Sequence, residues 1–314
     1  MPVVLITGGT GLIGKNLTSH LVAKGYQVII VSRKSILDVE KPLVSYSTWN
    51  IEEEKIEKNA IAKADYIIHL AGAAVMDKRW TKKYKQEIID SRIKSTNLLI
   101  KALHDIPNHV KAVISASAIG WYGSDHTPLL HKDGFIETDP ADENFLGETC
   151  KRWEESLHPV IQLNKRLVKF RFGIVLSIEG GALAEFKKPL RFGIAAILGS
   201  GKQIISWIHA DDLCRMLIYA LENEQLSGTY NAVAPLPVNN KKLILKLAKL
   251  IRGQFYIPVH VPKFVLKLIL GERCIEILKS TTVSNEKIKG TGFTFLYPTI
   301  DAALKELTNK KNQA

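Results

Sequence analysis

The chain has 314 residues, of which 46% are hydrophobic and 24% are charged, a balance typical of soluble globular proteins. That length allows one large domain or two modest ones. No uncharged apolar run is long enough to span a bilayer, and Met1 and Pro2 lead directly into the first predicted strand. We therefore expect a cytoplasmic protein without a signal peptide or membrane anchor.

The three cysteines, Cys150, Cys214 and Cys274, are odd in number, far apart and outside any C-x-x-C arrangement. This spacing argues against a disulfide framework and against a zinc site. We expect reduced thiols and no bound metal.

The net charge of +12 is the most unusual bulk property, because a basic surface attracts phosphates, nucleic acid or anionic membranes. The lysines, however, occur in scattered pairs, such as Lys82 and Lys83, rather than in one stripe interleaved with aromatic residues. We expect no nucleic-acid partner and no membrane partner, and we interpret the charge as a solvated surface that also steers an anionic ligand.

The N-terminal stretch predicts a buried strand, a tight turn and a helix. Four apolar residues at 3–6 precede a glycine cluster at 8–14, and Leu17, Leu21 and Val22 then recur at helical spacing. The pyrophosphate of a dinucleotide lies against backbone N–H groups at a helix N-terminus, where side chains would block it. The sequence therefore predicts a nucleotide-binding turn at this position.

The glycine spacing supports that prediction. Gly9-x-Gly11-x-x-Gly14 matches the dinucleotide fingerprint, and Gly8-x-x-Gly11-x-x-Gly14 matches its wider-spaced variant. The alternative is a glycine-rich turn that binds nothing. The predicted cofactor-binding residues of the turn are Gly8, Gly9, Thr10, Gly11, Leu12, Ile13 and Gly14.

The second predicted strand, at 26–31, ends in Ser32, Arg33 and Lys34, with no carboxylate before Asp38. An acidic residue at this position would bind the ribose 2′-hydroxyl of NAD, whereas an arginine accommodates the 2′-phosphate of NADP. Charged hydrogen bonds of roughly 1.5–3 kcal/mol each imply a preference for NADP of at least about tenfold. NADP is therefore the predicted cofactor, and the alternative is that Arg33 is only a surface cation.

The remaining segments predict an α/β protein built on a doubly wound parallel sheet. The segment 42–58 is predicted to be irregular, 65–72 to be a buried strand, 81–103 a helix, and 111–123 a strand that runs into hydroxyls and glycines. His69 lies within an apolar run and is interpreted as a hydrogen-bonded core residue. The segment 228–233 is predicted to return to the sheet, and helices are predicted at 240–252, 264–279 and 301–307.

Together, several segments resemble the extended short-chain dehydrogenase/reductase superfamily, in its NAD-dependent epimerase/dehydratase group. They are the turn at 7–14, the strand end at 69–72, the strand containing Ser117, and the segments 171–176 and 207–213. Within that group the chain is similar to the branch called epimerase family proteins, sometimes labelled cell-division inhibitors. Arg79-Trp80, Ser91-Arg92, Gly180-Gly181-Ala182 and the tail at 262–298, part of a C-terminal domain of unknown function, carry this resemblance.

The resemblance implies a Rossmann-type fold with a smaller C-terminal α/β substrate lobe. The expected NADP-binding domain comprises 1–176 and 207–233, and the expected substrate lobe comprises 177–206 and 234–314; a homodimer is possible on this basis. The cofactor contacts that the resemblance implies, beyond the glycine turn, are Ser32, Arg33, Leu70, Ala71, Glu87, Arg92 and Val175, and Gly72 is added because the small residues at this strand end suit a backbone beside a cofactor.

The same resemblance exposes a missing catalytic pair. Short-chain dehydrogenases generally use a tyrosine and a lysine four residues later, because the lysine lowers the phenol pKa from about 10 toward the working pH. Aligning Glu154 with the glutamate that commonly follows places Leu146 at the tyrosine position and Cys150 at the lysine position. Neither side chain can perform that proton transfer.

Two hydroxyls remain as catalytic candidates. Ser117 stands at the serine position of the superfamily and can polarise a carbonyl by itself. Tyr122 is close in sequence and can supply a proton, or alternatively packs a glycine-flanked loop. Arg191 and Lys202 suit a phosphorylated or carboxylated substrate, although solvated basic residues are equally consistent with the sequence.

These observations favour an NADP-dependent oxidoreductase or epimerase that acts on a small anionic substrate. The alternative is a non-catalytic NADP-binding sensor or regulatory protein, in which the tyrosine and lysine were lost together with turnover. An RNA-binding use of the fold is supported only by the net charge.

Overall fold

A computed structural model describes residues 1–34, 42–125 and 133–309 of the chain. Asp38, the first carboxylate after the second strand, lies outside these described residues. Of the helices in the described ranges, none combines the length and the apolar composition that a membrane span requires.

A twisted sheet with β1 near its middle organises the larger part of the chain. Every neighbouring pair of strands is parallel except the last, β3 with β4. The sheet confirms the predicted doubly wound α/β fold, because the strand order steps outward from β1 in both directions. In spatial order the strands are β13 (Gly228–Ala232), β7 (Arg166–Phe172), β6 (Ala112–Ala118), β5 (Tyr66–His69), β1 (Val3–Thr7), β2 (Gln27–Ser32), β3 (Val44–Asn50) and β4 (Lys55–Ile56).

Helices cover both faces of this sheet and enclose two apolar cores. On one face, Leu17 of α1 and Leu217 of α7 pack against sheet residues. On the other face, Leu99 of α3, Trp153 of α4 and Val160 of α5 do the same. The helices of this part are α1 (Leu12–Ala23), α2 (Lys58–Lys63), α3 (Lys82–Asp105), α4 (Phe145–Ser156), α5 (Pro159–Gln162), α7 (Ala210–Glu222) and α11 (Glu286–Lys289).

A smaller lobe has its own core, formed by helices packed around short strands. Leu183, Leu243 and Leu304, each from a different helix, meet in this core. Its helices are α6 (Ala182–Leu190), α8 (Asn240–Arg252), α9 (Lys263–Leu270), α10 (Cys274–Leu278) and α12 (Ile300–Asn309). Its strand pairs are β10 (Ile194–Leu198) with β15 (Ile257–Val261), and β11 (Ile204–Ile205) with β14 (Val238–Asn239).

A three-stranded sheet and two short 3₁₀ turns connect these parts. The sheet consists of β12 (Trp207–His209), β8 (Ile174–Ser177) and β9 (Gly180–Gly181). The turns are Ile119–Trp121, directly after β6, and Gly271–Arg273, directly after α9.

The segment 42–58, predicted to be irregular, instead forms β3 and β4. The prediction was wrong because β3 carries hydroxyls at several positions where aliphatic residues would have signalled a strand. Its alternation places Ser47 and Trp49 inward, both buried, and its backbone is held by parallel pairing with β2.

Residues of the C-terminal region, which we expected in the smaller lobe, also pack against the larger part of the molecule. Ile288 of α11 and Phe293, both beyond position 234, belong to the core beside α1 and α7. The return strand predicted at 228–233 is confirmed, because β13 pairs with β7 over Gly228–Ala232. The tail of the chain therefore packs against both parts of the molecule.

His69 is a hydrogen-bonded core residue, as predicted. The imidazole is fully buried between β1 and α3, with Nδ1 2.7 Å from the Thr7 hydroxyl and Nε2 3.2 Å from the Thr96 hydroxyl. Burial lowers the pKa of His69 from its ordinary 6.5 to about 4, because the interior disfavours the charged ring.

This pKa predicts how stability depends on pH. Between pH 6.5 and pH 4 the unfolded chain protonates His69 and the folded chain does not, so the free energy of unfolding falls as the pH falls. The loss in the free energy of unfolding that is due to His69 approaches roughly 3 kcal/mol near pH 4. Urea titrations across this range are expected to show a weaker pH dependence for His69→Gln than for the wild type. An equally steep dependence in both proteins would contradict the buried neutral ring.

Candidate functional site

Two glycines of the turn lie so close to other backbone atoms that side chains do not fit at their positions. Gly8 has a φ of +72°, and a Cβ added to it would lie 2.8 Å from the carbonyl carbon and oxygen of Leu70. A Cβ on Gly14 would lie 2.5 Å from the Cα of Gly9. The turn is therefore a cradle of bare backbone between β1 and α1.

The amino end of α1 differs from the other long helices in its capping. Thr81, Asn144 and Asn239 cap α3, α4 and α8 by accepting a hydrogen bond from a backbone N–H of the first turn. Gly11 precedes α1 and supplies no such side chain. An anion at this end would meet unpaired donors and the positive end of the helix dipole, so the turn fits a pyrophosphate.

The end of β2 lies beside this turn. The Ile30 side chain fills the space next to Gly9, where an added Cβ would lie 2.8 Å from the Ile30 Cγ2. Two residues later, the Ser32 hydroxyl hydrogen-bonds locally with the Lys34 backbone, and the Arg33 side chain is exposed. Arg33 thus directly follows β2 at the carboxyl edge of the sheet, and no carboxylate among the described residues forms an ion pair with it.

The strand end after β5 forms another wall of the same edge. Leu70 donates its backbone N–H to the Thr7 carbonyl at 3.0 Å, and Ala71 is buried. Gly72 is exposed, and a Cβ on it would lie 3.2 Å from the Arg92 guanidinium carbon. Leu70, Ala71 and Gly72 therefore lie between the glycine turn and α3.

The β8–β9 hairpin also contributes to the site, and only Val175 of it was named as a cofactor contact from the sequence. A Cβ on Gly181 would lie 3.2 Å from the Leu12 side chain, which places the hairpin against the first residue of α1. Val175, the contact implied by the family resemblance, lies on β8 and pairs with Ile208. The repeated glycines at 180 and 181 were the available signal, because their positive φ values permit this tight reversal.

Arg92 of α3 is a half-buried cation held by backbone carbonyls. Its Nη1 donates to the carbonyls of Ala73 and Ile88, at 3.1 and 2.9 Å. Its guanidinium carbon lies 5.0 Å from the centre of the Trp153 ring. Burial lowers the pKa of Arg92, and no carboxylate of the described residues pairs with it.

Glu87, on the same helix as Arg92, has a different environment. It is exposed and forms an ion pair with Lys78 at 3.8 Å. Glu87 and Arg92 are five residues apart on α3, so the carboxylate lies toward the amino end of the helix and the guanidinium lies deeper, beside Gly72.

Leu146 and Cys150 of α4 face the 3₁₀ turn after β6, at the positions that the resemblance assigns to tyrosine and lysine. A Cβ on Gly120 would lie 3.3 Å from Leu146 Cβ and 3.7 Å from Cys150 Sγ. Burial raises the pKa of the Cys150 thiol to about 12, so the thiol stays protonated and unreactive.

A buried polar cluster joins β6, β7 and α4 around Glu154. Arg171 donates to both carboxylate oxygens, from Nε at 2.8 Å and from Nη2 at 3.1 Å, and Lys169 lies 3.3 Å away. The Ser117 hydroxyl donates to Glu154 Oε1 at 2.7 Å. Burial alone would raise the pKa of Glu154, but Arg171, Lys169 and Ser117 together hold it below its ordinary value.

This geometry changes the chemistry available to Ser117. Its single proton is engaged with Glu154, so the hydroxyl offers lone pairs rather than a proton to any group at the carboxyl end of β6. It can accept a hydrogen bond from a hydroxyl. The Ser117 hydroxyl cannot polarise a carbonyl while it donates its hydrogen bond to Glu154.

The environment of Tyr122 favours the second of its two interpretations, packing of the loop, over supply of a proton. The phenol is fully buried, donates to Asn231 Oδ1 at 2.7 Å and accepts from Arg171 Nη1 at 2.9 Å. Its ring stacks on Phe135. Burial also raises the Tyr122 pKa, which makes proton release harder.

Sequence comparison now identifies the family. Residues 4–146 match the NAD dependent epimerase/dehydratase family, and residues 261–307 match a domain of unknown function, DUF1731. The chain is 35% identical over 309 residues to the epimerase family protein SSP1921 of Staphylococcus saprophyticus, which covers 97% of this chain and 99% of that protein. The chain belongs to the NAD dependent epimerase/dehydratase family.

Other members show the same similarity. This epimerase family member is 34% identical over 304 residues to YfhF of Bacillus subtilis, with 97% of each chain covered. The crystal structure of the human epimerase family protein SDR39U1 (isoform 2) with NADPH is 30% identical, covers 98% of this chain and 99% of its own, and superimposes with a TM-score of 0.84. UDP-glucose 4-epimerase of Thermotoga maritima, 21% identical with a TM-score of 0.79, shares the fold.

The Glu154 cluster of this family member generates a stability prediction. Glu154→Gln leaves Arg171 and Lys169 facing each other without the carboxylate, and breaking a buried ion pair in this way costs about 3–5 kcal/mol. We expect a loss of that size in the free energy of unfolding, measured in urea. Glu185→Gln removes the exposed Glu185–Lys188 pair and serves as the control, with a much smaller loss. Equal losses in the two variants would contradict the large contribution of the Glu154 cluster to stability.

Proposed function

We propose that this chain is an NADP-dependent oxidoreductase of the epimerase/dehydratase type that acts on a small anionic substrate. The observation that carries the proposal is the position of Arg33 directly after β2, beside a turn in which Gly8 and Gly14 have no room for a side chain. The NADPH bound to the human relative SDR39U1 supports the same cofactor.

Each end of the proposed cofactor site has residues suited to one part of the dinucleotide. Backbone N–H groups of the turn at 8–14 bind the pyrophosphate, and Arg33 with Ser32 binds the 2′-phosphate. Bound NADP would supply the hydride chemistry of the reaction. The strand end at 70–72 and Val175 on β8 form the walls beside which the rest of the cofactor lies.

Arg92 compensates for the missing lysine in this proposal. The guanidinium lies near Cys150, at the position where the resemblance expects a lysine, but it comes from α3 rather than α4. A guanidinium remains charged through the physiological pH range even when burial lowers its pKa. It therefore supplies a fixed positive charge beside Gly72 for the nicotinamide end of the cofactor, without a proton to exchange.

Ser117 is the residue proposed to contact the substrate. Its hydroxyl is oriented by Glu154 and stands at the carboxyl end of β6, the edge where ligands bind in open parallel sheets. We propose that it accepts a hydrogen bond from a hydroxyl of the substrate and holds that group in position beside the cofactor. The anionic character of the substrate rests on Arg191 and Lys202, both exposed on the smaller lobe, and on the net charge of +12.

Cofactor selectivity tests the position of the 2′-phosphate. Arg33→Ala is expected to weaken NADP binding by about tenfold or more and to leave NAD binding nearly unchanged, because only NADP carries the 2′-phosphate. Titration of intrinsic fluorescence with each dinucleotide measures both affinities.

Lys34→Ala is the matched control for that experiment, because Lys34 is an adjacent exposed cation. It should weaken NADP binding far less than Arg33→Ala. Equal losses of NADP and NAD affinity in Arg33→Ala would refute the proposed placement.

Turnover tests the role of Ser117. With NADP and a panel of nucleotide sugars and hydroxy acids, the wild type is expected to change the absorbance of the nicotinamide, and Ser117→Ala to react at least about tenfold more slowly. Ser115→Ala is the control, because Ser115 is a buried hydroxyl on the same strand that donates only to the Ala116 carbonyl.

Two results would separate the parts of this proposal. If NADP binds but no panel member reacts, while the dinucleotide still changes thermal stability, a non-catalytic NADP sensor gains support. If Ser115→Ala and Ser117→Ala slow turnover equally, the effect is structural and Ser117 does not contact the substrate.

A further inference from the structure

The short helix α9 projects an unusually apolar face into solvent. Phe264 is 73% exposed, Leu268 76% and Ile269 59%. Phe264 and Leu268 are four residues apart, so they lie on one face of the helix. Large exposed apolar side chains gathered in this way mark an interaction surface rather than ordinary surface.

Lysines border this apolar face. Lys263 and Lys267 are exposed and also lie four residues apart, directly next to the row formed by Phe264 and Leu268. In the part of the chain that the structure describes, neither amine has a carboxylate partner. Lys82 and Lys83, in the first turn of α3, are two more exposed cations. Lys85 of the same turn forms an ion pair at 2.5 Å with Glu272, which follows α9.

The helix is held in place with this face outward. Leu266 and Cys274 are buried on the protein side. Arg79 donates from Nη2 to the carbonyl of Leu268 at 3.0 Å, and Arg273 hydrogen-bonds to the carbonyl of Met76. The apolar face is therefore fixed before any partner arrives.

We infer that α9 docks the protein on an anionic membrane surface. A helix with apolar side chains on one face and lysines along the border lies in the plane of the headgroups, its apolar residues among the acyl chains and its cations on the lipid phosphates. The net charge of +12 steers the whole molecule toward such a surface.

The charges disfavour a second copy of this chain as the occupant. Two copies of the α9 face would bring four unpaired lysines together, while the nearby carboxylates of Glu272 and Glu276 are already paired with Lys85 and Lys279. The proposal departs from the expectation that the chain has no membrane partner. An eight-residue helix lies on a bilayer rather than across it.

Vesicle co-sedimentation tests the proposal on the full chain. The wild type is expected to sediment with vesicles of phosphatidylglycerol and phosphatidylcholine in equal parts, and not with phosphatidylcholine alone. Leu268→Glu is expected to weaken binding by about tenfold or more, because it removes a large apolar side chain from the lipid and adds repulsion. The double variant Lys263→Gln with Lys267→Gln is expected to weaken it by a similar factor.

Ile161→Glu is the matched control, since Ile161 is 60% exposed on α5 of the other part of the molecule. It should bind the anionic vesicles as the wild type does, and NADPH binding by every variant verifies folding. No sedimentation of the wild type, binding unaffected by Leu268→Glu, or binding unaffected by loss of both lysines would overturn the proposal. So would light scattering that shows a wild-type dimer which Leu268→Glu converts to a monomer without any vesicle binding.

Discussion

The turn after β1 is in close backbone contact with the strand end after β5, and this contact determines the geometry of the site. The turn after β1 approaches Leu70 so closely that a Cβ on Gly8 would overlap its peptide group. The approach is fixed by parallel pairing, because Thr7 stands opposite Val31 on one side and opposite His69 on the other. The ends of three strands and the uncapped start of α1 therefore converge on one small volume, which no side chain of the turn fills.

A second constraint is the Glu154 cluster, whose charges stabilise the fold rather than take part in the proposed reaction. Arg171 and Lys169 lie on β7 and are largely shielded from solvent, so their charges would be costly without the carboxylate of α4. On the same helix, Leu146 and Cys150 are apolar where the superfamily has a reactive pair. In the proposed site a positive charge comes instead from Arg92 on α3, beside Gly72. In this chain, therefore, the cation of α3 and the apolar residues of α4 lie on two neighbouring helices.

How much of this could be predicted depends on the range of the interactions. The glycine turn, the strand that ends at Arg33 and the bounds of α8 follow from local spacing and were predicted. The strand β3 was missed because hydroxyl residues stand where aliphatic residues would indicate a strand. Its extended backbone is stabilised by pairing with β2, which no local pattern shows. Two other contacts join residues that are separated in sequence: Gly181 with Leu12, and Arg171 with Glu154. Local sequence patterns do not predict such partners.

The contact of α9 with the loop at 76–80 links the smaller lobe to the proposed cofactor site. The last carbonyls of a helix lack partners within it, and Arg79 satisfies the carbonyl of Leu268 at the end of α9. Because α9 has only eight residues and no side-chain cap at its start, tertiary contacts of this kind supply much of its stability. The loop that carries Arg79 continues into α3, which carries Glu87 and Arg92. The position of α9 and the wall of the proposed site are therefore set by the same segment of chain.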